Sequence, residues 1–230
     1  MIGIFDYTVW LTYLSLTFAS LGIVVSLQRT EHPYIGVFFL LLCGLCDAFD
    51  GKVARTKKNR TDFEKKYGVQ IDSLSDLVAF GVLPVCIGNA MMRICPTISG
   101  VPILRKEGHI AFPGEIILYA ILILYVLAAM IRLAYFNVTE EERQEKESGG
   151  RKFYTGLPVT SAALIFPTVL LFQYLIPKDI TLVYFGVMIV TAFLFVSKFQ
   201  VKKPGIRGIL IMVGIGFVEF IVLAFTLGRR

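Results

Sequence analysis

Seven apolar runs divide the chain, and each is long enough to form a helix that crosses a bilayer. A helical span needs about 20 mostly apolar residues, and most charged residues fall between the runs. The pattern therefore predicts an all-α, polytopic integral membrane helix bundle. The predicted spans lie at 7–27, 33–49, 70–92, 113–136, 157–177, 180–197 and 208–227.

The composition agrees with this pattern and excludes an ordinary soluble domain. Of 230 residues, 56% are apolar and 17% are charged, and the mean hydropathy is +0.71. The spans leave little chain for a soluble unit, so we expect a single transmembrane domain over 1–230. Met1–Asp6 has no basic segment of the kind that starts a cleaved signal peptide. The polar stretch 139–152 is predicted to be a solvated loop.

The formal net charge of +6 is explained by where the basic residues lie. The segments 50–69, 132–156 and 198–207 hold 16 of the 23 Lys and Arg residues and share one predicted side. Cytoplasmic loops carry such an excess, so the sequence predicts a multi-pass protein of the cell membrane with these loops in the cytoplasm. No nucleic-acid partner is needed to explain the charge.

Four carboxylates flank the loop between the second and third predicted spans. Asp47 and Asp50 end one apolar run, while Asp72 and Asp76 open the next. A carboxylate beside or within a span is costly, and it marks a functional site by default. Each pair falls within about a 100° arc of its helix. We therefore expect two acidic faces to meet. The small residues on these arcs are Gly51, Ala54, Gly68, Ser75 and Ala79.

Carboxylates that converge at membrane depth repel one another unless cations neutralise them. Oxygen ligands favour hard cations such as Mg²⁺, Mn²⁺ or Ca²⁺ over zinc or copper. Two such ions suit phosphoryl transfer, and Arg55 lies one turn beyond Gly51 to hold a phosphate. The same carboxylates also suit a cation transporter, or structural charge pairs with Lys52 or Arg55. Cys43 and Cys46 have no second metal-like pair, and we expect them to be packed membrane cysteines.

The order of these residues resembles the signature of the CDP-alcohol phosphatidyltransferases, D-x-x-D-G-x-x-A-R…G-x-x-x-D-x-x-x-D. The chain reads Asp47-Ala-Phe-Asp50-Gly51-Lys-Val-Ala54-Arg55 and then Gly68-Val-Gln-Ile-Asp72-Ser-Leu-Ser-Asp76, so all eight fixed positions are present. Twelve residues separate Arg55 from Gly68, which is a longer loop than the family usually has. The resemblance therefore does not extend to contacts made by this loop.

This resemblance implies an enzyme that moves a phosphatidyl group from a CDP-lipid to an alcohol and releases CMP. It also implies a six-helix core, with 208–227 as an additional span, a homodimer and a site open to the cytoplasm. Asp47, Asp50 and Asp72 would hold two divalent cations, Mg²⁺ or Mn²⁺. Asp76 would complete the metal cluster and act as general base. The positions that would bind the CDP-lipid are Gly51, Ala54, Arg55, Gly68 and Thr12.

Three segments resemble the phosphatidylserine synthase branch of this family. They are Asp72-Ser-Leu-Ser-Asp76-Leu-Val-Ala-Phe-Gly-Val-Leu-Pro84, Arg132-Leu-Ala-Tyr-Phe-Asn137 and Phe153-Tyr-Thr-Gly-Leu-Pro158. The branch that uses glycerol phosphate has Pro and Lys where this chain has Ser73 and Leu77. The resemblance thus implies CDP-diacylglycerol and L-serine as substrates. Glycerol 3-phosphate or inositol phosphate as acceptor, and an archaeal CDP-lipid as donor, remain alternatives.

The acceptor site is less defined than the carboxylates. Arg132 would bind the serine carboxylate or the lipid phosphate, because a guanidinium pairs with either group in a bidentate manner. Asn137 and Ser75 would be polar contacts to either substrate. Structural interpretations stay open beside these roles, with Pro84 as a helix kink and Pro158 at a helix start.

Overall fold

The computed structural model describes residues 2–28, 33–94, 105–106, 109–110, 112–146, 153–175, 179–202 and 206–227. The predicted all-α bundle is confirmed, because every predicted span lies on helical structure. A π-helical segment, Leu77–Val82, joins α3 to α4, and a 3₁₀ turn, Val159–Ser161, precedes α6. The helices are α1 (Trp10–Leu27), α2 (Pro33–Ala54), α3 (Asp62–Asp76), α4 (Leu83–Ile94), α5 (Phe112–Lys146), α6 (Ala162–Leu175), α7 (Thr181–Val196) and α8 (Ile206–Leu227).

Several of these helices have the length and composition of membrane spans. Within the described ranges, Trp10–Leu27, Asp62–Arg93 and Ile116–Arg143 are long and apolar enough to cross a bilayer. Shorter apolar helices lie at Val159–Phe172, Thr181–Val196 and Ile211–Val222. The chain is therefore a polytopic membrane protein.

α2 lies near the middle of the bundle. It packs along α1 over most of its length and also contacts α4, α6 and α8. On the other side, α5 packs against α7. Aromatic side chains fill the space where α5, α6 and α7 meet, with Tyr125, Phe166 and Tyr184 fully buried and in ring contact. α2 thus contacts four other helices of the bundle, and it carries two of the aspartates near its C-terminal end.

Pro84 explains the π-helical segment between α3 and α4. A proline inside a helix has no N–H for the carbonyl four residues earlier, and its ring clashes with that turn. The carbonyl in question belongs to Phe80, and the Tyr125 hydroxyl donates a hydrogen bond to it over 2.9 Å. The helix widens into a π turn here instead of ending. α3 and α4 thus form one continuous rod that carries Asp72 and Asp76 in its N-terminal half.

α3 begins with a complete capping box. The Thr61 hydroxyl accepts a hydrogen bond from the Glu64 N–H over 3.1 Å, and the Glu64 carboxylate accepts one from the Thr61 N–H over 2.7 Å. This arrangement satisfies N–H groups that the first turn of a helix leaves unpaired. The cap defines where the loop after α2 ends and where α3 begins.

Two short antiparallel ribbons accompany the helices and were not predicted. β1 (Arg105–Lys106) pairs with β2 (His109–Ile110), and β3 (Phe153–Thr155) pairs with β4 (Gln200–Lys202). Strands of two or three residues are too short to give an alternating pattern. The second ribbon joins the segment before α6 to the segment after α7.

The predicted loop over 139–152 is wrong in its first half. α5 continues to Lys146, and Arg143 forms an ion pair with Glu140 over 2.6 Å, one turn apart. Opposite charges at this spacing support a solvated helix, so a polar composition did not mean a loop. Residues 147–152 lie outside the described ranges.

Candidate active site

Three of the four predicted carboxylates converge between the C-terminal part of α2 and the C-terminal part of α3. One oxygen from each of Asp47, Asp50 and Asp72 lies within 4.8 Å of the other two. The oxygen-only ligand set fits a hard divalent cation, and such a cation would offset the repulsion between the three carboxylates. The predicted meeting of two acidic faces is confirmed, and we refer to these three residues as the acidic triplet.

Asp76 lies one turn beyond Asp72 on α3 and is only 8% exposed. It is not a member of the group that could share one ion with Asp47 and Asp50. The spacing places it on the same face as Asp72, deeper along the helix. Its position agrees with a carboxylate beside the triplet, and its role as base or further metal ligand stays a prediction.

α1 contributes a polar contact to the triplet. The Thr12 hydroxyl lies 3.5 Å from Asp50 Oδ2 and donates a hydrogen bond to it. The Thr12 carbonyl accepts a hydrogen bond from the Ser75 hydroxyl over 3.3 Å. Thr12 is thus beside the site, as predicted. Ser75 is buried and joins α3 to α1, so its described contact is internal.

The small residues of the motif lie against cationic side chains. A Cβ added to Gly51 would come 3.3 Å from a guanidinium nitrogen of Arg55, and one added to Gly68 would come 2.8 Å from Arg60 Nη2. Arg55 itself is exposed, just beyond Ala54 at the end of α2. The glycines therefore leave room for these two guanidinium groups.

The long loop between α2 and α3 is tied to the N-terminal segment. Lys57 Nζ lies 2.7 Å from Asp6 Oδ2 and 2.6 Å from Glu64 Oε1. The hydrogen bond from Lys57, with one from the Thr8 hydroxyl, lowers the pKa of Asp6 to about 2. Both carboxylates raise the pKa of Lys57 above its usual value. The extra loop residues are thus part of a defined polar cluster.

A cavity of about 950 Å³ begins at Asp47 and Asp50 of the triplet and extends along α2. Its polar end includes Asp47, Asp50 and Arg55, and its much larger apolar part is formed by α2, α6 and α8. A volume of this size accommodates a large ligand. The α8 residues that line it are Met212, Val213, Gly214, Gly216, Phe217 and Phe220.

The predicted acceptor residues have internal partners in the structure. Arg132 is 6% exposed, its Nε donates to the Leu157 carbonyl over 3.1 Å, and its guanidinium lies 5.4 Å from the Phe136 ring centre. Asn137 Nδ2 donates to the Ser73 hydroxyl over 2.7 Å. These contacts join α5 to α3 and to the segment before α6. A part in acceptor binding stays a prediction for both residues.

Several residues near the site were not singled out from the sequence. For the α8 residues that line the cavity, the sequence showed only an apolar run. Glu219 could have been singled out, because it is an acidic residue inside that run. Arg60 and Lys57 were counted only as loop charges. Cys43 and Cys46 are buried as predicted, and the Cys43 thiol contacts the Ser15 carbonyl over 3.3 Å.

Curated relatives resemble a large part of the chain. A Saccharomyces cerevisiae protein named CDP-diacylglycerol–serine O-phosphatidyltransferase is 35% identical over 145 residues, covering 61% of this chain and 43% of the relative. An archaetidylserine synthase of Methanothermobacter thermautotrophicus is 32% identical over 154 residues, covering 67% of this chain and 53% of that relative.

A Helicobacter pylori protein with the same name as the yeast relative is 26% identical over 146 residues, covering 63% of this chain and 50% of the relative. The chain thus spans about half the length of the curated relatives it matches. Residues 7–217 match the CDP-alcohol phosphatidyltransferase family, which includes all eight motif positions. The triplet, the cavity and this match agree, and the chain belongs to the CDP-alcohol phosphatidyltransferase family.

Proposed function

We propose that this chain transfers the phosphatidyl group of CDP-diacylglycerol to the hydroxyl of L-serine and releases CMP. The observation that carries the proposal is the convergence of the acidic triplet, two of whose members, Asp47 and Asp50, line the polar end of a cavity that is otherwise mostly apolar. A CDP-lipid has the matching division into a charged head and long apolar chains. The choice of serine as the acceptor is based on the names of the curated relatives, since those from yeast and Helicobacter pylori name serine.

The residues present fit two divalent cations, Mg²⁺ or Mn²⁺. Asp47, Asp50 and Asp72 would hold them, and Asp76 would complete the cluster. When bound, such ions draw charge from the phosphoryl oxygens and favour both the entering and the leaving oxygen. Thr12 orients Asp50 through its hydroxyl, and the packing of α2 between α1 and α6 fixes the two carboxylates of that helix.

The apolar part of the cavity receives the acyl chains of the donor. Leu41, Leu45 and Phe217 are among its lining residues, and they lie on α2 and α8. Burial of acyl methylenes against such walls contributes about 0.8 kcal/mol for each CH₂ group. The donor therefore lies with its pyrophosphate at the triplet and its chains along α2. Gly51, Ala54, Arg55 and Gly68 receive the nucleotide part.

Asp76 acts as the general base. It takes the proton of the serine hydroxyl while that oxygen attacks the phosphorus on the lipid side. A bond forms between the serine oxygen and phosphorus, and the bond from phosphorus to the oxygen of CMP breaks. A positioned base of this kind contributes about 10²- to 10⁴-fold to a rate. Burial of Asp76 keeps bulk water away from the reacting hydroxyl.

Arg132, Asn137 and Ser75 are the candidates for acceptor or lipid-phosphate contacts. Arg132 is fixed by Leu157 and Phe136, and a guanidinium held in this way is suited to a carboxylate or a phosphate. The relative named archaetidylserine synthase keeps an archaeal CDP-lipid as the alternative donor. Acceptors other than serine, glycerol 3-phosphate or inositol phosphate, are alternatives within the same family.

The site faces the cytoplasm of a multi-pass protein of the cell membrane. The basic segments 50–69, 132–156 and 198–207 carry most of the Lys and Arg residues, and the triplet adjoins the first of them. Membrane lipids surround the bundle, and a homodimer is the expected assembly. No observation favours the cation transporter over the family activity.

The test is CMP release from CDP-diacylglycerol by the purified protein in detergent with Mg²⁺ or Mn²⁺. L-serine should support release, and chelation of the metal should abolish it. Glycerol 3-phosphate and inositol phosphate serve as matched acceptors. Release with either of these and none with serine would overturn the serine assignment and leave the family activity intact. No release with any acceptor would overturn the enzyme proposal.

A further inference from the structure

Arg60 lies in the long loop after α2, immediately before the Thr61 cap of α3, and its side chain runs along that helix. Its Nη2 donates a hydrogen bond to the Glu64 carbonyl over 3.1 Å. The same nitrogen would lie 2.8 Å from a Cβ added to Gly68. The guanidinium therefore occupies the space left by the missing side chain of Gly68, near the middle of α3.

This position brings the guanidinium to the edge of the acidic triplet. Gly68 and Asp72 are four residues apart on α3 and so lie on the same face, about 6 Å from each other. The chain enters the membrane from Gly68 towards Asp72. Arg60 thus lies about one helical turn from the triplet, on the side where a ligand bound there would extend out of the membrane.

Some neighbouring cations of the loop form ion pairs, whereas Arg60 forms none in the described ranges, and unlike the equally unpaired Lys58 it is partly buried. Lys57 pairs with two carboxylates, and Lys65 lies 3.1 Å from Asp62 Oδ1. Within the described part of the chain, Arg60 has no carboxylate within ion-pair distance, and its buried Nε has no hydrogen-bond partner. A buried N–H without an acceptor is costly. A ligand that brings oxygen acceptors to this place would satisfy it.

We infer that Arg60 contacts the nucleoside monophosphate end of the CDP-lipid, the part that leaves as CMP. This inference rests on the proposed function, which places the pyrophosphate at the triplet. The next group outward, about one turn from Asp72, is then the nucleotide. Phosphate and base both present oxygen acceptors, and a guanidinium offers planar, paired donors to them. The contact comes from the loop whose length departs from the usual family pattern.

The test compares Arg60→Gln with Lys58→Gln, which removes the same charge from an exposed position in the same loop. The dissociation constant of CMP is measured on detergent-solubilised protein with Mg²⁺, together with KM and kcat for CDP-diacylglycerol. Arg60→Gln should weaken CMP binding about tenfold and raise KM similarly, since a hydrogen bond to a charged group is lost. kcat should change much less, and Lys58→Gln should stay close to wild type.

A purely structural Arg60 would lower the unfolding temperature and leave the CMP dissociation constant unchanged. That result, or an equal loss of affinity in Lys58→Gln, would overturn the inference. If Arg60→Gln does not fold, modification of wild-type arginines by phenylglyoxal can be mapped by mass spectrometry. CMP with Mg²⁺ should then slow modification of Arg60, and an unchanged rate would overturn the inference.

The two proposals fail in different ways. Wild-type protein that releases CMP while Arg60→Gln behaves like wild type leaves the transferase proposal intact and removes only the role of Arg60. Wild-type protein that releases no CMP with any acceptor removes the transferase proposal itself.

Discussion

The Thr168 hydroxyl on α6 donates a hydrogen bond to Glu219 Oε1 on α8. Glu219 is 5% exposed, and its other oxygen, Oε2, has no hydrogen-bond partner in the described ranges. The next residue, Phe220, lies with its ring centre 4.3 Å from that of Phe38 on α2. A polar contact to α6 and an aromatic contact to α2 thus hold α8 in place as one wall of the cavity.

Replacement of Thr168 by Val should destabilise the protein more than replacement of Glu219 by Leu. Thr168→Val leaves a buried carboxyl group without its donor, which costs about 1–3 kcal/mol of unfolding free energy. Glu219→Leu removes the polar group as well, so the double variant should resemble Glu219→Leu alone. Thermal unfolding in detergent measures the differences.

Thr17→Val is the matched control for this prediction. The Thr17 hydroxyl donates only to the Tyr13 carbonyl of its own helix, over 2.8 Å, and Thr17 is exposed. It should unfold close to wild type. An unfolding temperature for Thr168→Val equal to that of Thr17→Val would show that the contact between α6 and α8 is energetically unimportant.

The sequence was sufficient to predict those features that depend only on the spacing of residues within one helix. Asp47 and Asp50 share a face of α2, Asp72 and Asp76 share a face of α3, and one loop connects the two helices directly. Convergence follows from these local relations and is observed for three of the four. The apolar runs likewise located the helices, because a span needs a fixed length of apolar chain.

Tertiary partners from distant parts of the chain were not predictable. Phe80 receives its hydrogen bond from Tyr125, 45 positions later, and no local pattern selects that tyrosine. The packing of α8 on α6, fixed by Glu219, also depends on how the bundle closes. Arg60 could not be identified from the sequence, because its contacts depend on the direction in which the loop folds back along α3.

Gly156 lies in one of the segments that resemble a single branch of the family, and its backbone conformation explains why glycine occupies this position. Its φ of +75° is a left-handed conformation, and a Cβ there would lie 3.0 Å from the carbonyl oxygens of Phe195 and Ser197. Gly156→Ala should lower the unfolding free energy by at least about 1–2 kcal/mol. Thermal unfolding in detergent measures the loss.

Gly186→Ala is the control, since no atom lies within 4 Å of a Cβ at that position in α7. Alanine is favoured over glycine in a helix, so this variant should be as stable as wild type or more stable. If both alanine variants unfold alike, neither the left-handed backbone of Gly156 nor the carbonyl oxygens of Phe195 and Ser197 constrain that position.

Asp6→Asn should destabilise the protein near neutral pH and have no effect at strongly acidic pH. The Asp6 pKa is about 2 in the folded protein against an ordinary value of 3.8. A carboxylate with a lowered folded pKa stabilises above its unfolded pKa, and that contribution is lost as the pH falls through the folded value. The two proteins should therefore converge between about pH 4 and pH 2.

Unfolding temperatures of both proteins at a series of pH values measure this convergence. The effect is expected to be small, because the pair with Lys57 is partly solvated. Asp62→Asn is the matched control, since its pair with Lys65 is far more exposed. A difference between wild type and Asp6→Asn that persists unchanged to pH 2 would contradict an origin in the charge of Asp6.

Asp72 and Asp76 lie one turn apart on α3, and we expect their replacement by Asn to have different effects on metal affinity and on kcat. Asp72 supplies an oxygen to the triplet, so Asp72→Asn should weaken Mn²⁺ binding strongly and lower CMP release, with partial recovery at high metal concentration. Asp76 lies outside the triplet and only completes the cluster, so Asp76→Asn should weaken Mn²⁺ binding less than Asp72→Asn does, while kcat at saturating metal falls about 10²- to 10⁴-fold. Titration with Mn²⁺ followed by magnetic resonance measures affinity, and CMP release at saturating metal gives kcat. An equal loss of Mn²⁺ affinity in both variants would make Asp76 a metal ligand like Asp72, whereas unchanged kcat in Asp76→Asn would exclude it as the base.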